Sequence, residues 1–218
     1  SYDRFGHRID EVDFHPSYHS LMSLAKEAGT HSIAWTADTG GHVAHTALEY
    51  LLTQVEPGVC CPITMTYACV PTLRNHDGLA NEWLPKILKP EYDKRFIPHS
   101  QKSSLMIGMA MTEKQGGSDV RANETKAELI EEEQYRLTGH KWFCSAPMLD
   151  AFLTLAQTPK GLTCFLVPRF TPDGTKNNFY IQRLKDKLGN HANASAEVEY
   201  NNTWGIRIGE EGRGITTI

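Results

Sequence analysis

The chain has 218 residues, of which 40% are hydrophobic and 22% charged, a composition that fits one or two globular domains and excludes a disordered polymer. Its 22 Lys and Arg stand against 26 Asp and Glu, and the net charge of −4 argues against a basic nucleic-acid-binding surface in this stretch. Charged or polar residues interrupt every apolar run well short of the ~18 residues that a membrane-spanning helix needs. The five cysteines (Cys60, Cys61, Cys69, Cys144 and Cys164) are odd in number and form no C-x-x-C pair. That pattern reads as reduced, mostly buried thiols in a reducing compartment.

Ser1 to Gly6 show no initiator Met and no charged-then-apolar leader, and Gly212 to Ile218 stops where an apolar run begins, so both ends read as cuts inside a longer polypeptide. Helical periodicity comes first. Leu21, Met22, Leu24, Ala25 and Ala28 recur at helical spacing within 17–28, with Gly29 as a stop. A second helix is expected over 42–55, closed by Pro57-Gly58. A third is expected over 63–73, with Pro62 in its first turn and Pro71 as a kink. A fourth, over 79–88, contains Pro85.

From Leu105 the period changes. The runs 105–111, 125–130, 135–143, 152–157, 162–170, 179–184 and 196–200 read as strands separated by Glu, Gly, Pro, Asp and Asn clusters, the spacing of an antiparallel sandwich or barrel. Pro172-Asp173-Gly174 is a turn, and Ile206 to Gly214 breaks the strand pattern with three glycines. The expected fold is α+β with segregated layers, divided into a helical domain over 1–104, a β-domain over 105–208 and the start of another helical domain over 209–218.

The segment Met109-Ala110-Met111-Thr112-Glu113-Lys114-Gln115-Gly116-Gly117-Ser118-Asp119 leaves a strand and offers a hydroxyl, two glycines and a second hydroxyl. The glycines let backbone N–H groups approach an anion, and Ser118 can donate to a phosphate oxygen. It is neither a Walker loop nor a G-x-G-x-x-G fingerprint, and taken alone it reads more simply as a glycine turn. A second segment, Gly139-His140-Lys141-Trp142-Phe143-Cys144-Ser145, sets adjacent aromatics beside a hydroxyl, which suits a stacked planar ring bonded at one edge. Taken alone, it reads as a core aromatic pair.

Together the two segments carry a family resemblance. Ala110-Met111-Thr112-Glu113-x-x-Gly116-Gly117-Ser118-Asp119-x-x-Ala122 resembles the signature of the acyl-CoA dehydrogenases. Gly139-x-Lys141-x-Phe143-x-Ser145, Leu188-Gly189 with Ser195, and Gly209-x-x-Gly212-x-Gly214 continue the match in register. Lys114 after the signature Glu, Leu184-Lys185-Asp186-Lys187-Leu188-Gly189-Asn190 and Cys61-Pro62-Ile63-Thr64-Met65-Thr66 are similar to the AidB-like, alkylation-response branch.

The resemblance implies FAD-dependent α,β-dehydrogenation of an acyl-CoA thioester. It implies that Thr112 meets the flavin pyrimidine edge, supported by the backbone of Met109, Ala110 and Met111. Gly117 and Ser118 would approach the pyrophosphate, and Ser118 would also border the acyl-CoA path. Phe143 would flank the isoalloxazine ring and Ser145 would bond N5, with Cys144 between them among the cofactor-binding residues. Phe143 stands where most of the family has Trp, Ser145 replaces Thr, and His191 stands where related sequences have Arg. The catalytic base is expected from a C-terminal helical bundle outside this chain, and no Asp or Glu here takes that role by motif.

The resemblance also implies an electron acceptor such as an electron-transferring flavoprotein, a tetrameric full-length protein, and a cytoplasmic or mitochondrial-matrix setting. Duplex DNA, bound by the AidB-like branch mainly through the C-terminal bundle, is the alternative partner. Among ten histidines, His15 with His19 and His42 with His45 could each share a helix face. Without an H-E-x-x-H pattern they read as helix-lining residues, and no metal is expected.

Overall fold

A computed structural model describes residues 1–218. Five helices lead the chain: α1 (Pro16–Glu27), α2 (Ile33–Thr36), α3 (Gly41–Val55), α4 (Pro57–Arg74) and α5 (Asp77–Ile87). In α1, Pro16 opens the helix, His15 Nδ1 accepts from the Ser17 N–H at 3.2 Å, and Tyr18, Met22 and Ala25 form the buried stripe. Pro57-Gly58, expected to end a helix, instead opens α4. Glu56 Oε1 accepts from the Gly58 N–H at 2.7 Å and caps the new helix directly after α3 ends. Pro71 does not stop α4. It cannot donate to the Tyr67 carbonyl four residues back, but Trp35 Nε1 donates to that carbonyl at 2.9 Å.

The seven strands are β1 (Ile107–Ala110), β2 (Lys126–Glu131), β3 (Gln134–Ser145), β4 (Ala151–Thr158), β5 (Gly161–Pro168), β6 (Phe179–Leu184) and β7 (Ser195–Ile208), followed by a short α6 (Gly214–Thr217). β2, β3, β7, β5 and β4 pair antiparallel in succession, and a Lys126–Gln157 bridge returns β2 to β4, closing a ring. The expected antiparallel barrel is in fact a mixed sheet: β1 and β2 both lie parallel to β4, because long excursions rather than hairpins connect them to it. β7 runs eight residues past the expected end at Tyr200. Leu137 pairs with Thr203 and Gly139 with Tyr200, so β7 carries one extra residue, and Asn202 takes it up at φ 52°. Asn201-Asn202, beyond the expected strand end, form a bulge inside a long strand, and Gly205 pairs with Tyr135 further along it.

Two apolar interiors follow from strand alternation. Phe152, Phe165, Tyr135, Leu137, Val198, Tyr200 and Phe179 point inside the ring, where α1 and the first half of α4 close it with Met22, Val59 and Ile63. The opposite faces of β4 and β5 (Leu153, Leu155, Cys164, Leu166) pack on Cys69, Leu73, Trp83 and Ile87 from α4 and α5. Both faces of β4 are therefore covered, which explains its near-continuous apolar run. No helix is long and apolar enough to cross a membrane.

Candidate functional site

β3 carries a second bulge at the residues singled out in sequence. Lys141 pairs with Val198 and Cys144 with Ala196, leaving one residue too many on β3. The strand therefore breaks its alternation: Lys141 and Cys144 both turn inward, while Phe143 is 41% exposed. Trp142, freed from β7, donates its N–H to the Thr112 carbonyl at 2.8 Å, which fastens the end of the signature segment to the strand one residue before Phe143. Lys185 Nζ lies 3.1 Å from the Trp142 ring centroid and 4.9 Å from that of Phe143, and bonds Glu197 Oε1 at 2.7 Å. The ammonium thus holds both rings in place.

The signature loop is anchored from below. Glu113 and Lys141 are wholly buried and bond at 2.7 Å. Glu113 also accepts from the Glu124 N–H at 2.7 Å, the Thr125 N–H at 3.2 Å and Gln115 Nε2 at 2.9 Å, while Lys141 donates to the Leu155 carbonyl at 2.7 Å. Burial pushes the Glu113 carboxyl up, but Lys141 and these donors outweigh it and hold the carboxyl below its ordinary value. Glu113 is therefore an ionised structural anchor. Its pairing with Lys141 was not legible from motif spacing, although both residues stand at restricted positions of the two segments.

Glu113 and Gly116 close a tight turn, and a Cβ on Gly116 would fall 2.6 Å from the Asp119 carbonyl oxygen. A Cβ on Gly117 would meet Thr112 Cγ2 at 3.4 Å and fill the concavity between them. Thr112 is half-buried and Ser118 exposed, and neither hydroxyl is engaged by another group of the chain. Ser145 Oγ lies 3.2 Å from Ser195 Oγ, across the β3–β7 pairing. Beside Ser195, a cavity of about 420 Å³ opens between Tyr18, Leu21, Glu56, Lys185 and Lys187.

The remaining expected residues sit around this face in different ways. The Met109 N–H points to Met65 Sδ at 3.2 Å. Ala110 is fully buried and its carbonyl accepts from Thr154 Oγ1 at 2.6 Å. The Met111 carbonyl accepts from Asn123 Nδ2 at 2.9 Å. The carbonyls of Ala110, Met111 and Thr112 are thus already engaged as acceptors within the chain. The Cys144 side chain is fully buried, with its thiol pushed up to about 12 by burial, so only its backbone could meet a ligand. The histidines weighed as ligands have other partners: His45 Nδ1 meets the Thr30 carbonyl at 2.6 Å, and His42 Nδ1 meets Tyr67 Oη at 3.0 Å.

An exposed aromatic face, two unengaged hydroxyls, a half-buried third and a glycine that keeps the concavity open fit a flat, edge-polar ring carrying a phosphate tail. The sequence comparisons point to the same chemistry. Residues 1–94 match the adaptive response protein AidB N-terminal domain, and residues 108–203 match the acyl-CoA dehydrogenase middle domain. The AidB protein of Escherichia coli (strain K12) is 50% identical over 220 residues, covering all of this chain and 41% of its own length. The crystal structure of Caenorhabditis elegans ACDH-11 in complex with C11-CoA superposes with a TM-score of 0.83 at 30% identity, over 99% of this chain and 38% of that one. A Bacillus anthracis acyl-CoA dehydrogenase complexed with FAD, 18% identical over 92% of this chain and 33% of its own, shares the fold with a TM-score of 0.72. The chain thus spans about two-fifths of the E. coli and C. elegans proteins. With both halves matched in order, the chain belongs to the acyl-CoA dehydrogenase family, in its AidB-like branch.

Proposed function

We propose that this chain supplies the cofactor-facing part of an FAD-dependent acyl-CoA dehydrogenase, which converts acyl-CoA thioesters to 2-enoyl-CoA in fatty-acid metabolism. The observation that carries the reading is the β3 bulge, which exposes Phe143 beside Ser145 while Trp142 ties the signature loop to the same edge. A bound FAD would supply a hydride acceptor at N5 for the substrate β-hydrogen. Thr112 would donate to the pyrimidine edge of the ring, and Phe143 would cover one face of it. Gly117 and Ser118 would hold the pyrophosphate, with Ser118 also bordering the acyl-CoA path. Ser145 holds a hydroxyl at the N5 position, where a preorganised donor favours the reduced ring without reorganisation during the step.

The α-proton needs a carboxylate that is free to accept it. Glu113 is excluded from that role by its buried pairing with Lys141, which supports a base supplied from outside these residues, in a C-terminal helical bundle. On the same reading the chain divides into the helical 1–104, the flavin-binding 105–208 and the entry to that bundle at 209–218. The full-length protein is a homotetramer in a reducing compartment, cytoplasmic or mitochondrial, and passes electrons to an electron-transferring flavoprotein.

The test is anaerobic titration of the full-length flavoprotein with saturated acyl-CoAs of increasing chain length. Bleaching of the flavin band by one chain-length class supports the reading and defines the substrate. A yellow protein that no acyl-CoA bleaches contradicts it, and would favour the AidB-like alternative of duplex-DNA binding with little dehydrogenase activity.

A further inference from the structure

Ser145 is not an isolated hydroxyl. Its Oγ is 3.2 Å from Ser195 Oγ, and Ser195 Oγ lies 3.1 Å from Lys187 Nζ. Lys187 Nζ is held in turn by the Asn193 carbonyl at 2.6 Å. Asn193 is fixed where α4 begins. A Cβ on Gly58 would fall 2.7 Å from Ala192 Cβ and 2.9 Å from the Asn193 nitrogen, so the bare glycine is what lets the helix press on this loop.

The direction of these bonds follows from chemistry. An ammonium has three N–H donors and no lone pair, so Lys187 donates to Ser195. Ser195 is only 3% exposed, although it borders the 420 Å³ cavity, and the chain offers its hydrogen a single partner. The one acceptor within reach is Ser145 Oγ. Were Ser145 to donate to Ser195 instead, the Ser195 hydrogen would be left without a partner in the chain. The arrangement that satisfies every hydrogen runs Lys187 to Ser195 to Ser145, and leaves the Ser145 O–H free to point outward.

The geometry points to Lys187 and Ser195 as positioning residues that fix Ser145 as a hydrogen-bond donor toward the reacting nitrogen of a bound flavin. This deepens the proposed function and rests on its flavin reading. A serine at this place can accept or donate, and only a donor stabilises electron density arriving at that nitrogen. The polarity is set by a serine fifty residues away from the hydroxyl it orients, and by a lysine eight residues before that serine.

The test uses full-length protein reconstituted with FAD and reads the flavin without turnover, through sulfite affinity at N5 and the two-electron midpoint potential. Lys187→Met and Ser195→Ala are each expected to weaken sulfite binding about tenfold and to lower the potential by about 30 mV, the equivalent of that factor for a two-electron couple. Lys187→Arg, which keeps the donors, is expected to restore most of both. In a Ser145→Ala background, Lys187→Met is expected to change neither quantity further. Variants that bind FAD yet match the wild type in both readouts overturn the relay while leaving the flavin site standing. An undiminished Lys187→Met effect in the Ser145→Ala background overturns it too, since the lysine would then act as a bare charge. A wild-type protein that binds no FAD removes the flavin reading and the relay together.

Discussion

Replacing Lys141 by Met removes the cation from a carboxylate with no solvent exposure. Glu113 keeps three donors, from Gln115, Glu124 and Thr125, but loses the ammonium at 2.7 Å, and the Leu155 carbonyl loses its donor as well. Stranding one member of a buried ion pair costs about 3–5 kcal/mol. In a chain of this size each kcal/mol moves the melting temperature by about 2–4 °C, so a drop of roughly 6–20 °C is expected. Glu113→Gln combined with Lys141→Met removes both charges and should recover most of that loss. Urea unfolding of the wild type, the two single variants and the double variant measures the coupling directly. A Lys141→Met loss below about 1 kcal/mol, or losses that simply add in the double variant, would refute the role of the pair as anchor of the signature loop.

Other consequences follow from local geometry. Lys26 is fully buried, donates to the Ile87 carbonyl at 3.1 Å, and is lowered by burial from 10.5 to about 7. The unfolded chain therefore holds the extra proton between these values, and this contribution to stability should rise with pH from about 7 toward 10.5. Lys26→Met should flatten that rise, which urea midpoints at several pH values will register. Gly116→Ala should weaken FAD retention more than it lowers the melting temperature of the apoprotein, because its Cβ strikes the Asp119 carbonyl within the loop itself. Phe143→Ala, at an exposed position, should leave the urea midpoint within about 0.5 kcal/mol of wild type and still weaken FAD binding, measured by flavin fluorescence.

Much of the fold was legible because it is local. Met22 and Ala25 of the α1 stripe and the alternation at the starts of β3 and β6 follow their periods, and the turn at Pro172-Asp173-Gly174 separates two strand runs. What failed depended on a cap next door or on partners distant in sequence. Pro57-Gly58 opens α4 because the adjacent Glu56 caps it. Asn201-Asn202 is a bulge because β3 continues alongside it. The four-residue α2 was too short to show a period.

The site divides in the same way. Thr112, Gly117, Ser118, Phe143 and Ser145 were readable as a motif, and the Trp142 N–H ties Thr112 to the strand that carries Phe143 and Ser145. The supports were not readable: Lys185 over Trp142, Lys141 beneath Glu113, and Lys187 behind Ser195 all come from other strands or loops. Cys144 carried no sequence mark of the bulge that turns it into the core.

The central claim is that the face formed by Thr112, Gly117, Ser118, Phe143 and Ser145 binds FAD. The most direct measurement is an FAD titration of the full-length apoprotein, comparing the wild type with a Thr112→Val, Ser118→Ala double variant. The account predicts one FAD bound per chain and a dissociation constant at least about tenfold weaker in the double variant, the loss of two hydrogen bonds of ordinary strength. A wild-type chain that takes up no FAD, or a double variant that binds it as tightly as the wild type, would contradict it.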